Sequence, residues 1–251
     1  MIGTDLSIFI EQCASIHKPV DLWQLVLEFS QRSDVCSLNY QHFSTFGGAH
    51  VQIMTYGYPE GWAKEYIENA RHRDDPIPEL AAQLDKPFLW SQVGSLTSIT
   101  AEQQSYLEEL RRWHVGDGLA IQVYGPGLRN GYIGLGFADD AAQIDSRIIL
   151  GLQLAAQTAH QRYCEMSLNH RRPRYDLSKR EREVLAWIAR GKSNAMISDI
   201  LNISPHTVDT HLRRVYDKLG VTDRTSAAII GLGSNVIQLD TQVVPLRQSR
   251  Y

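Results

Sequence analysis

Cysteine is scarce: the 251 residues hold three, Cys13, Cys36 and Cys164, odd in number and far apart, with no CxxC pair. That excludes a disulfide framework and a cysteine-built zinc site, and it fits a reducing compartment. Long apolar runs are missing too. No stretch approaches 18 uninterrupted apolar residues, and the first residues, "MIGTDLSIFIEQCASIHK", lack a basic leader, so neither a membrane span nor a signal peptide is expected. The histidines are scattered without metal spacing, and no Gly-x-Ser-x-Gly elbow occurs, which removes the common hydrolase signatures. There is no internal repeat and no low-complexity tract. What is left is a globular chain, 43% hydrophobic and 21% charged, expected in the cytoplasm without cofactor or metal and not expected to be an enzyme.

Charge is nearly absent as a total, a net −3, but not as a distribution. From residue 171 onward there are 14 Lys and Arg against 8 Asp and Glu, whereas the first 170 residues carry 11 against 20. A basic C-terminal third on an acidic body is the signature of a polyanion-binding module joined to something else. The polar segment "NHRRPRYD", with Pro173, falls where the sign changes. Domains are therefore expected at 1–168 and 177–251, with a linker at 169–176 and a C-terminal tail on the second domain.

Before the linker, helices and strands alternate without a βα rhythm. "DLWQLVLEFSQ" has one apolar helical face; "VCSLNYQHF" and "HVQIMTYGY" read as strands about the turn "STFGG". "PEGWAKEYIENA" reads as a helix from Pro59, and "TAEQQSYLEELRRW" as another with Thr100 and Gln103 at capping-box spacing. "GLAIQVYG" and "NGYIGLGF" flank "PGLR" like a hairpin, and a long helix follows from about Asp145 to Leu168. The expected fold is α+β: an N-terminal α/β/α sandwich around an antiparallel sheet, then an all-α four-helix domain.

Beyond the linker every element is helical. Ser178 and Glu181 form a capping box for a helix ending at Gly191, and Ser193 starts a short helix. Ser204 and Pro205 open "PHTVDTHLRRVYDKL", which Gly220 closes; Thr222 or Asp223 starts the last helix. In the third helix Val208, Leu212, Val215 and Leu219 make one apolar stripe, and the remaining surface is polar and largely basic. Two helices joined by a tight turn, the second with a polar outer face, form a helix-turn-helix that enters the DNA major groove.

"LSKREREVLAWIARGKSNAMISDILNISPHTVDTHLRRVYDKLGVTDRTSAA", about 177–230, resembles the DNA-binding domain of LuxR-type transcription regulators, with Glu181, Leu185 and Gly191 at its structural positions. "YPEGWAKEYIENARHRDDPI" resembles the autoinducer-binding domain of their quorum-sensing branch, whose pattern has Tyr58, Trp62, Tyr66, Asp75, Pro76, Trp90 and Gly118 in this numbering. The resemblance implies an N-acyl homoserine lactone ligand. Trp62 would donate to its ring carbonyl, Asp75 would accept its amide N–H, Tyr58 would donate to its amide carbonyl, and Tyr66 and Trp90 would pack on it. The chain departs from the pattern at Gln122, where relatives often have Pro. On the DNA side, Asp209, Thr210 and Arg213 are placed toward base edges, and Lys192, Thr207, Arg214 and Lys218 on the phosphates. One helix reads few base pairs, so a homodimer on palindromic double-stranded DNA is expected.

Three other readings stay open from sequence. One is a response regulator with the same output domain, though Asp74–Asp75 follows a helix and not a strand. Another is a lactone-hydrolysing enzyme. The third is a regulator of the same fold that answers a non-acyl signal or acts without ligand. Gly134 and Gly136, in a strand where relatives carry larger side chains, suggest extra room for a long or bulky acyl group.

Overall fold

The computed structural model describes residues 2–43, 51–112, 117–137, 144–171 and 175–238. The chain divides into two compact units, residues 1–172 and 173–251.

The first unit opens with α1 (Ile2–Ser15) and α2 (Pro19–Gln31), the latter started by Pro19 at a first-turn position, where its missing N–H costs nothing. Next come β1 (Val35–Phe43), β2 (Val51–Tyr56), α3 (Trp62–Glu68), α4 (Pro76–Gln83), β3 (Phe88–Leu89), α5 (Val93–Leu96), α6 (Ala101–Arg112), β4 (Asp117–Val123), β5 (Gly131–Phe137) and α7 (Ser146–Arg171). The strands form one antiparallel sheet in the order β2-β1-β5-β4-β3. Both faces are covered. Leu38, Tyr40, Leu119, Ile121, Ile133 and Leu135 pack against α1, α2 and α7, while Ala120, Phe88 and Tyr132 pack against α3 to α6. This is the expected α/β/α sandwich. A parallel βα receiver architecture, which a response regulator would need, is absent from the described strands.

Two local expectations change, and one helix was not foreseen. The helix expected from Pro59 starts at Trp62, because Gly61 at φ 86° turns the chain first. Helix α7 continues through Arg171, three residues into the expected linker, and residues 172–174 lie outside the described set. Helix α4, short and carrying two prolines in "PIPELAAQ", had no periodicity to announce it. The turn expected at 44–48, Trp113 and the tail from 239 also lie outside the described residues.

The second unit is helical: α8 (Lys179–Ala189), α9 (Asn194–Leu201), α10 (Pro205–Leu219) and α11 (Arg224–Gly233). Each start carries a side-chain cap on a backbone N–H: Ser178 on Glu181, Ser193 on Met196, Ser204 on Thr207 and Asp223 on Ser226. Such caps contribute about 1 kcal/mol each. Gly220 ends α10 in the left-handed conformation, φ 67°. Val208, Leu212, Val215 and Leu219 are all buried, as the stripe predicts. Among the described residues no helix is long and apolar enough to cross a membrane, and no group of three His, Cys, Asp or Glu side chains is arranged to hold a metal.

Candidate ligand pocket and nucleic-acid interface

Asp75 organises the helical wall of the first unit. It sits immediately before Pro76, at the N-cap of α4, and its Oδ1 accepts from the Ile77 N–H at 3.0 Å. Its Oδ2 accepts from the hydroxyls of Tyr66 at 2.9 Å and Tyr106 at 3.2 Å. Burial pushes the Asp75 carboxyl up to about 6; the Ile77 N–H and the two phenols pull the other way and only partly compensate. The same burial, with the Asp75 charge beside it, raises Tyr66 far above the ordinary phenol range. Pro76 is buried as the first helical residue.

Beside this carboxylate runs an aromatic ladder. Trp62 stacks on Tyr66 with ring centroids 4.9 Å apart, because residues four apart share a helix face, and the segment leading into α3 lays Tyr58 on its other side at 4.2 Å. The sheet supplies the opposite wall. Residues 38 and 40 of β1 face the other core, so Ser37, Asn39 and Gln41 face this one, and Gln41 Nε2 donates to the Tyr66 hydroxyl at 3.2 Å. Trp90 lies flat over the sheet. A Cβ at Gly118 would stand 2.6 Å from its ring, so Gly118 is what lets the indole approach the strand. The buried Trp90 Nε1 lies beside the Tyr132 hydroxyl without a hydrogen bond of ordinary geometry.

All seven pocket residues predicted from sequence therefore lie on the α3–α6 side of the sheet, with Trp62, Tyr66, Trp90 and partly buried Tyr58 in one cluster. The extra room expected at Gly134 is not there: a Cβ on it would meet the Tyr132 hydroxyl at 2.6 Å and the Trp90 ring at 3.1 Å. That space is already filled by aromatic side chains. Sequence reading missed Tyr106 and Tyr132, which share the pocket side, and the polar row on β1. Tyr106 had a weak signal, being next to Leu107 and one turn before Leu110 on one face of α6.

On α10, Arg213 and Arg214 are exposed, and so is Asp209, while Thr207 and Thr210 are half-buried. Thr207 Oγ1 pairs with Ser204 Oγ at 2.8 Å, and Thr210 Oγ1 donates to the His206 carbonyl at 3.0 Å. Asp209 Oδ1 accepts from Asn194 Nδ2 at 2.6 Å, and Asn194 Oδ1 accepts from the Arg224 guanidinium at 2.9 Å. Arg224 also donates to the Lys192 carbonyl. This network pins the start of α9 to α10 and α11.

Lys218, expected on phosphate, is exposed, and its ammonium donates to Glu181 Oε2 at 2.8 Å, the same oxygen that accepts the Ser178 N–H at 2.7 Å. Glu181 is 97% buried as a side chain, so Lys218 pairs with a buried acid of its own domain. Leu185 is fully buried one turn beyond, and Gly191 turns out of α8 at φ 75°.

Comparison with known proteins decides the family. The model of the autoinducer binding domain matches residues 19–163, and that of the luxR family of bacterial regulatory proteins matches residues 176–230. The chain belongs to the LuxR family. Its first unit carries the autoinducer-binding domain and its second the helix-turn-helix DNA-binding domain. Among relatives, the helix-turn-helix-type protein y4qH of Sinorhizobium fredii is 32% identical over 184 residues; the match covers 72% of this chain but only 56% of that protein. The transcriptional activator protein BjaR1 of Bradyrhizobium diazoefficiens is 25% identical over 185 residues, covering 74% of this chain and 76% of that one. Among solved structures, Escherichia coli SdiA superposes with a TM-score of 0.70 at 21% identity, covering 92% of this chain and 97% of that one, which shows a shared fold.

Proposed function

We propose that this LuxR-family protein is a quorum-sensing transcription regulator that binds an N-acyl homoserine lactone in residues 1–168 and DNA through residues 177–251. The observation that carries the ligand reading is the buried Asp75 carboxylate, set beside the Tyr58–Trp62–Tyr66 ladder and facing a sheet wall with the buried Trp90 N–H. A lactone ring carbonyl, an amide N–H and an amide carbonyl are the groups that Trp62, Asp75 and Tyr58 would satisfy. Tyr66 and Trp90 pack on the ligand, with Pro76 and Gly118 holding Asp75 and Trp90 in place. Each buried polar group so matched avoids a penalty of about 1–3 kcal/mol.

On DNA, Arg213 reads base edges with Thr210 and Asp209, and Arg214, Lys192 and Thr207 hold phosphates. A homodimer on a palindrome gives the combined site enough base pairs for selectivity.

Thermal unfolding of the full chain with homoserine lactones of four to twelve acyl carbons tests the ligand reading. At a hundredfold excess over the dissociation constant, linkage adds about 2.7 kcal/mol and raises the melting temperature. If no lactone raises it, the ligand is of another class. Light scattering together with a titration on palindromic and half-site DNA tests the dimer; one monomer per half-site without cooperativity would exclude it.

A further inference from the structure

Helix α10 carries two opposite charges that do not meet. Asp209 and Arg213 are both exposed and four residues apart, with the acid on the N-terminal side. That spacing and order favour an ion pair along a helix. Among the described residues they form none. Asp209 Oδ1 instead accepts from Asn194 Nδ2 at 2.6 Å, and its Oδ2 accepts from no described residue. The Arg213 guanidinium likewise has no hydrogen-bond or ion-pair partner among the described residues.

Asn194 can hold the acid in only one sense. A guanidinium has donors alone and a carboxylate acceptors alone. The amide standing between Arg224 and Asp209 must therefore turn its oxygen to Arg224, at 2.9 Å, and its NH2 group to Asp209. Arg224 is half-buried at the start of α11 and is anchored in turn on the Lys192 carbonyl. Asp209 is thus fixed from the two neighbouring helices, on the flank of α10 that faces α9, and is drawn off Arg213.

The two charges kept apart suit two different bases. An exposed carboxylate on a helix laid against DNA is repelled by phosphate, and in the major groove guanine and thymine show it acceptors only. Adenine sets its N6 amine beside the N7 acceptor. Cytosine offers the N4 amine and no acceptor of its own, so it is the base that a carboxylate oxygen matches. A guanidinium, donor only, matches O6 and N7 of guanine.

We propose that Asn194 is a positioning residue for sequence selectivity. By holding Asp209 away from Arg213, it leaves the guanidinium for a guanine and the second carboxylate oxygen for a cytosine N4 amine. This rests on the DNA reading above and names the bases. Removing the Asn194 amide releases Asp209 to pair with Arg213, so one substitution at a distance from both takes away both preferences.

The test starts with selection of duplexes by the full chain from a pool of palindromic DNA with randomised half-sites, with and without homoserine lactones of four to twelve acyl carbons. Titrations on the best duplex and its single-base variants follow, for the wild type, Asn194→Ala, Asp209→Ala and the double variant. The wild type should prefer one cytosine and one guanine in each half-site, each by about fivefold or more over the other bases. Asp209→Ala should lose the cytosine preference and keep the guanine one. Asn194→Ala should lose most of both, and the double variant should regain the guanine preference, because no acid is left to occupy Arg213. Because each readout is a ratio within one variant, a general loss of stability does not imitate it. Equal weakening of every duplex by Asn194→Ala would overturn the proposal and leave the amide as a pin between helices. Base preferences unchanged by Asp209→Ala, or a double variant no more selective for guanine than Asn194→Ala, would overturn it too. A wild type that retains no duplex under any condition would remove the DNA reading and this proposal with it.

Discussion

If Asp75 accepts from the proposed lactone, its raised pKa should make ligand affinity depend on pH between about 5 and 7.5. The ionised carboxylate accepts an amide N–H far more strongly than the neutral acid does, whereas burial raises its pKa to about 6. At pH 5 roughly one empty pocket in eleven has Asp75 ionised, and at pH 7.5 nearly all do. Affinity for a homoserine lactone should therefore be about tenfold weaker at pH 5 than at pH 7.5, about 1.4 kcal/mol. The groups that touch this carboxylate, the Tyr66 and Tyr106 hydroxyls and the Ile77 N–H, keep their protons throughout. Stability of the empty protein moves the other way. A folded pKa raised above the unfolded value of 3.8 gives stability that is present below about pH 4 and lost as pH rises through about 6. The full loss is about 3 kcal/mol. Opposite slopes for empty-state stability and ligand affinity thus belong to one residue. Calorimetric titration between pH 5 and 7.5 in two buffers of different ionisation enthalpy reads both the constant and the proton released. Asp75→Asn should bind more weakly at pH 7.5 and lose the pH dependence. A dissociation constant that stays flat over this range in the wild type would refute the acceptor role, and one that tightens toward pH 5 would show Asp75 donating as an acid.

Other changes probe separate parts of the molecule. Gly118→Val sets a branched side chain where even a Cβ would be 2.6 Å from the Trp90 ring, so thermal unfolding should show a loss of about 1–3 kcal/mol together with weakened lactone binding; an unchanged melting curve would contradict the tight packing. Lys218→Met strips the buried Glu181 of its ammonium partner. With Lys218 itself 39% exposed, the second unit should lose about 1–2 kcal/mol, while the salt slope of DNA binding stays unchanged. Desolvation opposes the Glu181 charge, but Lys218 and Ser178 outweigh it and hold its pKa below the usual range; the stability this adds at neutral pH fades as acid protonates Glu181, and Lys218→Met should shrink that acid sensitivity. Arg213→Ala should flatten base preference within each half-site by about 1–3 kcal/mol of discrimination, and an equal loss on every sequence variant would make Arg213 a phosphate contact.

What could be read from sequence followed the range of the interaction. Ser178, Ser193, Ser204 and Asp223 cap a backbone N–H three residues on, so the helix starts of the second unit were visible in the chain order. The Tyr58–Trp62–Tyr66 ladder was visible for the same reason: it is a four-residue spacing. Contacts across long separations were not. Tyr106 reaches Asp75 across 31 residues and Lys218 reaches Glu181 across 37, and in both cases the distant partner carries no mark of its own. Strand β1 is the instructive middle case. In "VCSLNYQHF" the alternation of Ser37, Asn39 and Gln41 with Leu38 and Tyr40 was plain, and in isolation it describes a strand with one wet face. The fold puts helices over both faces, so the polar half of the alternation is dry. A pattern that would cost nothing at a surface becomes a row of buried polar side chains that need partners. The inversion from solvated to buried is created only by the packing of α3 to α6 on this face, and no local feature of the strand announces it.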